Sequence, residues 1–168
     1  MNTEAIAAMG LLGFIMSFMM FLVAWYVLSL VARWKVFDKA GIAGWKSLIP
    51  IYSDYCTYKI AWETKFFWIF LILGAVSGFI SNRMSAYTES GNTVPFLLSV
   101  LSSLIGLAIF VINLAMNINL ARRFGNSTAF GVGLAFLTPI FTMILGLGAS
   151  EYRGNPIEGL PPQRGYRY

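Results

Sequence analysis

Five uncharged polar side chains, Ser99, Ser102, Ser103, Asn113 and Asn117, recur with Gly106 at intervals of three, four and seven inside one apolar run. On a helix those intervals put them on one face, expected to point into a bundle. Carboxamides and hydroxyls in a membrane can coordinate an ion or a polar solute. They can equally hydrogen-bond a neighbouring helix, at about 0.6 kcal/mol each. Asn119 lies off this face. Asp38, Asp54 and Glu63 are the carboxylates that could pair for acid–base work, but they stand among Lys39, Lys46, Lys59 and Lys65, whose charge they balance. There is no histidine, and Cys56 is the single cysteine. Its thiol has no imidazole to act as base. A zinc site, which draws mainly on Cys and His, has nothing to be built from. One thiol closes no internal disulfide. No catalytic, cofactor-binding or metal-binding residue is therefore assigned, and the protein is read as no enzyme. No charged residue sits deep in an apolar run, which disfavours proton pumps and voltage sensors.

These residues are set in four apolar runs within 168 residues. About 20 apolar residues suffice to cross a hydrocarbon core of roughly 30 Å. Spans are expected at about 9–34, 66–81, 96–121 and 128–150. The fold class is all-α: an integral membrane bundle of four transmembrane helices in a single domain, residues 1–150, followed by a flexible tail, 151–168. Composition agrees, with 58% hydrophobic and 11% charged residues, against about 25% charged in soluble domains. Mean hydropathy is +0.70. The net charge of +5 would suit nucleic acid, but the basic residues flank the spans. Lipid headgroups are the expected partner instead, and no nucleic acid. Met1 to Gly10 carries no basic residue, and the first run is too long for a signal sequence, so it is read as an uncleaved span.

Residues 35–65 are too polar to span and too aromatic for an ordinary loop. Trp45, Leu48, Ile49, Tyr52, Tyr55, Cys56, Lys59 and Trp62 recur at helical spacing, with Lys46, Ser53, Asp54 and Thr57 largely between them. Pro50 interrupts the pattern. The segment reads as a broken amphipathic helix in the headgroup layer, anchored by its rings. A re-entrant hairpin dipping into the membrane is the alternative.

Gly74 and Gly78 have GxxxG spacing in the second span, which predicts close packing within the bundle. Gly91 and Asn92 suit a turn before Pro95. The fourth span contains Gly131, Gly133, Pro139, Gly146 and Gly148, and a kink is expected at Pro139. Eight of the 12 basic residues fall in the first and third connections. That puts those connections inside and both termini outside. A faint echo links Gly44–Tyr52 (GWKSLIPIY) to Gly133–Phe141 (GLAFLTPIF), and Ala32-Arg33 to Ala121-Arg122. It would fit a two-helix duplication.

Two stretches carry a resemblance: Val36–Ile60 (VFDKAGIAGWKSLIPIYSDYCTYKI) and Ala121–Gly154, which opens ARRFGNSTAFGVGLAFLTPIF. They resemble a family of small bacterial multi-span membrane proteins whose function is not established. That family shows an aromatic-x-Lys-Ala-Gly-x-x-Gly-Trp-x-x-Leu-Ile-Pro-x-Tyr pattern at the cytoplasmic interface. The resemblance implies no catalytic residues. Related domains sometimes precede a signal-peptidase-I-like domain, whose Ser/Lys signature is not found in this chain.

The function expected first is a non-enzymatic accessory or scaffold in the bacterial cytoplasmic membrane. It would engage lipid, a membrane protein or a second copy through Trp45, Lys46, Pro50, Tyr52, Tyr55, Lys59 and Trp62. The alternatives are a small oligomeric channel or transporter lined by Ser99, Ser102, Ser103, Asn113 and Asn117, and a module associated with signal-peptidase-like processing.

Overall fold

The structure is a computed structural model that describes residues 3–87 and 94–162, with side chains over 9–83 and 96–162. The turn expected at Gly91–Asn92 lies outside these residues. Among the described residues six α-helices follow one another: α1 (Thr3–Lys39), α2 (Pro50–Ala61), α3 (Thr64–Tyr87), α4 (Val94–Arg123), α5 (Thr128–Phe136) and α6 (Thr138–Leu147). Short 3-10 turns cover Gly44–Leu48 and Pro156–Glu158. The all-α expectation holds among the described residues. Among the described residues three helices are long and apolar enough to cross a membrane: Met9–Lys39, Thr64–Arg83 and Phe96–Arg123. Their outer surfaces are apolar, with Met20 77% and Phe14 68% exposed. Water would not tolerate so large a bare patch, so lipid is the solvent of this fold.

The fourth apolar run, expected to span over 128–150, is not one helix. It divides at Leu137 (φ −122, ψ 47) into α5, of nine residues, and α6, of ten. Pro139 lies in the first turn of α6, where its missing N–H costs little. At about 1.5 Å per residue neither piece reaches across a bilayer. α5 runs back along α4, with Gly131 against the backbone of Ile118 and Phe136 beside Phe110. α6 then returns along α1, with Gly146 against the Ala32 carbonyl. Entrance and exit meet where the Asn126 amide donates to the Ser150 hydroxyl at 3.2 Å. The segment is a helical hairpin whose two ends lie at the same end of the bundle.

Residues 40–61 make a smaller hairpin at that same end. α1 stops at Gly41 (φ 73), where Ile42 N–H donates to the Phe37 carbonyl at 2.9 Å. The chain climbs back past Trp34, whose ring fills the space beside Gly44. Pro50 then opens α2, which descends to Ala61. α4 ends in the same way: Gly125 (φ 76) follows it, and Asn126 N–H donates to the Ala121 carbonyl at 2.9 Å. A left-handed glycine with this bonding closes a helix in the Schellman manner. The order of parts therefore occurs twice: long helix, glycine turn, ascending arm, proline-started half-helix. The helix-ending glycines, 41 and 125, and the half-helix prolines, 50 and 139, are offset differently because the second ascending arm is a full helix. The Ala32-Arg33 and Ala121-Arg122 echo is out of register with the helix ends.

Each half-helix packs on the long helix of the other half, α2 on α4 and α6 on α1. The core lies here, built from Val36, Phe37, Ile60, Ala121, Leu134 and Leu145 among others. Gly74 and Gly78 do not serve as the expected contact: a Cβ at either would meet nothing within 4 Å.

The tail, expected to be flexible, is folded over Glu151–Pro162. Tyr152 hydroxyl donates to the Ile60 carbonyl at 3.0 Å. Asn155 Nδ2 donates to the Lys59 and Trp62 carbonyls at 2.8 and 2.6 Å. Glu158 accepts from Thr64 N–H, at the start of α3, at 2.6 Å. It thus lies at the end of the bundle where α1 and α4 finish, not at the opposite end that four spans would require.

Candidate functional site

Between the two hairpins lies a cavity of about 240 Å³. Its polar wall comes from four elements: Arg33 of α1, Asp54 and Thr57 of α2, Asn113 and Asn117 of α4, and Thr138 and Thr142 of α6. Val36, Phe37, Met116, Leu120 and Leu134 complete it. The fold explains this convergence. Asp54 and Thr57 face α4 because α2 descends along it, and Thr138 and Thr142 share a face one helical turn apart.

Asn117 is the most buried residue of the polar wall, 6% exposed. Its Nδ2 donates to both the backbone carbonyl and the Oδ1 of Asn113, each at 2.9 Å. That bond orients one carboxamide by the other. Thr57 donates to the Ser53 carbonyl at 2.8 Å, and Thr138 to the Leu134 carbonyl at 2.7 Å. Each hydroxyl keeps acceptor capacity beyond its bond to the helix.

The ends of the half-helices are held by cations from the opposite half. Lys39 Nζ donates to the Leu145 and Gly148 carbonyls at 2.9 and 2.6 Å, at the end of α6. Arg123 Nε donates to the Ala61 carbonyl at 3.3 Å, at the end of α2. The last carbonyls of a helix lack intrahelical partners and carry partial negative charge, so a cation there both satisfies and complements them. Tyr152 lies beside them, and burial pushes its phenol well above the ordinary range against the opposing influence of Arg123.

Of the polar face read from the sequence, only Asn113 and Asn117 reach this cavity. Ser99 and Ser103 donate to carbonyls of their own helix, Phe96 at 2.7 Å and Ser99 at 2.9 Å, and Ser102 lies in the same distant half of α4. The aromatic-basic set is broken at Pro50 as expected, but α2 packs lengthwise on α4. Tyr55 and Phe67 meet edge to face at 5.6 Å, and Trp62 stacks on Phe66 at 3.7 Å. Tyr52 stacks on Tyr55 at 5.7 Å, with the Lys46 ammonium 5.6 Å from the Tyr52 ring centre. Lys59 contributes its carbonyl to Asn155. Trp45 stays half exposed, on the outside.

Sequence reasoning missed Arg33, Thr57, Thr138 and Thr142 as cavity residues. Arg33 reads as an interface marker, and Thr57 as a polar residue between the anchors. The spacing of Thr138 and Thr142 around Pro139 was a usable signal for the other two.

No curated protein and no solved structure matches the chain. A family model does match, over residues 45–155, and that span holds both half-helices and every cavity residue beyond α1. The chain belongs to the family of unknown function (DUF5684).

Proposed function

We propose that this membrane protein admits a polar solute or ion to the cavity between its two hairpins, as a small channel or transporter rather than an enzyme. The carrying observation is that four elements contribute seven polar side chains to one cavity. Broken helices and irregular backbone at membrane depth are tolerated where they line such a cavity. The basic end of the bundle, with Lys39, Arg122, Arg123 and Arg153, is the cytoplasmic end by the positive-inside preference. The N-terminus is then outside and residues 151–162 are inside, in a bacterial cytoplasmic membrane. The test replaces Asn113 or Thr142 by Cys in a Cys56→Ser chain. A small water-soluble thiol reagent should modify both in intact membranes. Modification only by membrane-soluble reagents would sink this reading.

The scaffold reading rests on a different observation. Trp45, Ile49 and Ile51 are exposed together, at 51%, 45% and 67%. A partner that docks on this edge should be lost with Trp45→Ala. Unchanged capture would count against it.

A further inference from the structure

We propose that the groove between α1 and the starts of both half-helices binds the phosphate-bearing headgroup of an anionic lipid. This goes beyond the solute reading and would stand even if the inner cavity passed nothing. The groove encloses about 550 Å³, and Ser47, Pro50, Thr138 and Arg33 line it.

Three features call for an anion. First, α2 and α6 both begin here, with 12 and 10 residues, and neither start has a side-chain cap. The first N–H groups of a helix have no partner within it and carry partial positive charge. Two such ends in one groove reinforce each other. Second, Arg33 also lines the groove; the Asp54 carboxylate across the inner cavity acts on it electrostatically, but among the described residues no carboxylate comes within salt-bridge distance of it. Third, Ser47 is only 3% exposed, yet its hydroxyl is buried without a hydrogen-bond partner. An unpaired buried hydroxyl is costly, and it needs an acceptor that the described residues do not supply. A phosphate offers only acceptors to N–H, guanidinium and hydroxyl alike.

The groove's mouth identifies the source. Tyr26 and Leu48 border it and are 64% and 50% exposed. They lie beside a span whose outer surface is hydrocarbon-facing, so the occupant arrives from the bilayer with its chains along α1.

The test compares thermal unfolding in phosphatidylcholine nanodiscs with and without phosphatidylglycerol, and in phosphatidylcholine with inorganic phosphate. Phosphatidylglycerol should raise the wild-type midpoint by about 3–5 °C near tenfold saturation. Arg33→Gln should lose that increment, Arg33→Lys should keep part, and Lys65→Gln, at an exposed cation elsewhere, should keep it all. Equal loss in Lys65→Gln, or no lipid preference in the wild type, would overturn the proposal. A shift reproduced by inorganic phosphate would also overturn it, because the occupant would then be a soluble anion. Should Arg33→Gln not fold, phosphorus assay of the purified wild type decides. At least one phosphate per chain is expected after detergent exchange, and none would contradict the assignment.

Discussion

The Asn126 amide and the Ser150 hydroxyl are hydrogen-bonded at 3.2 Å, although a continuous helix would hold them about 36 Å apart. That one contact fixes the direction of the last apolar segment. It goes in along α4, turns at Leu137 and comes back along α1. At the turn Leu137 N–H donates to the Gly133 carbonyl at 2.7 Å and Phe141 N–H to the Leu137 carbonyl at 3.1 Å. Gly133 has no side chain, so the Phe141 ring can close against it.

The return arm depends on Gly146. A Cβ there would stand 2.4 Å from the Ala32 carbonyl oxygen, and backbone cannot move aside as a side chain can. Gly146→Ala is expected to destabilise the protein by about 1–3 kcal/mol. Gly78→Ala, which meets nothing, should not destabilise it. Thermal unfolding of both in detergent checks this, and equal effects would mean that α6 does not lie against α1.

Lys39 closes the end of α6 through two carbonyls. Lys39→Met keeps the aliphatic stem and removes the donor. A loss of about 1–2 kcal/mol is expected, reduced from the full charged-bond value because the site is partly exposed. Hydrogen exchange should rise at Leu145–Gly148 before it rises in α4. Exchange unchanged there would contradict the capping role.

Tyr152 ties the tail to α2 through the Ile60 carbonyl. Tyr152→Phe should cost about 1 kcal/mol near neutral pH. The folded phenol holds its proton above the ordinary value, whereas the unfolded phenol ionises near 10. The contribution is therefore complete below about pH 10 and is lost as pH rises through the folded value. Wild-type stability should fall above pH 10 more steeply than that of Tyr152→Phe. Parallel slopes would show that the phenol is not buried.

Much of this was legible in the residues. The apolar runs gave the all-α class and the three long helices. Pro50 and Pro139 marked both breaks, and the GWKSLIPIY and GLAFLTPIF stretches, which would fit a two-helix duplication, fall in the two hairpins. The direction after each break was not legible, because hydropathy is the same whether a segment crosses or returns. Gly133 and Gly146 carried that information, but only as contacts with Phe141 and Ala32. On the polar face of α4, Asn113 and Asn117 line a cavity because α2 and α6 pack beside them. Ser99, Ser102 and Ser103 do not line it. Arg33 was hidden by its position at a span end, where a basic residue has an ordinary explanation.

The most direct measurement is a cross-link across the hairpin mouth. Asn126→Cys and Ser150→Cys, combined in a Cys56→Ser chain, should form a disulfide under mild oxidation in intact membranes, seen as a mobility shift that reduction reverses. No cross-link, with the two thiols labelled from opposite sides of the membrane, would mean that the last segment crosses. The paired-hairpin cavity would then be wrong.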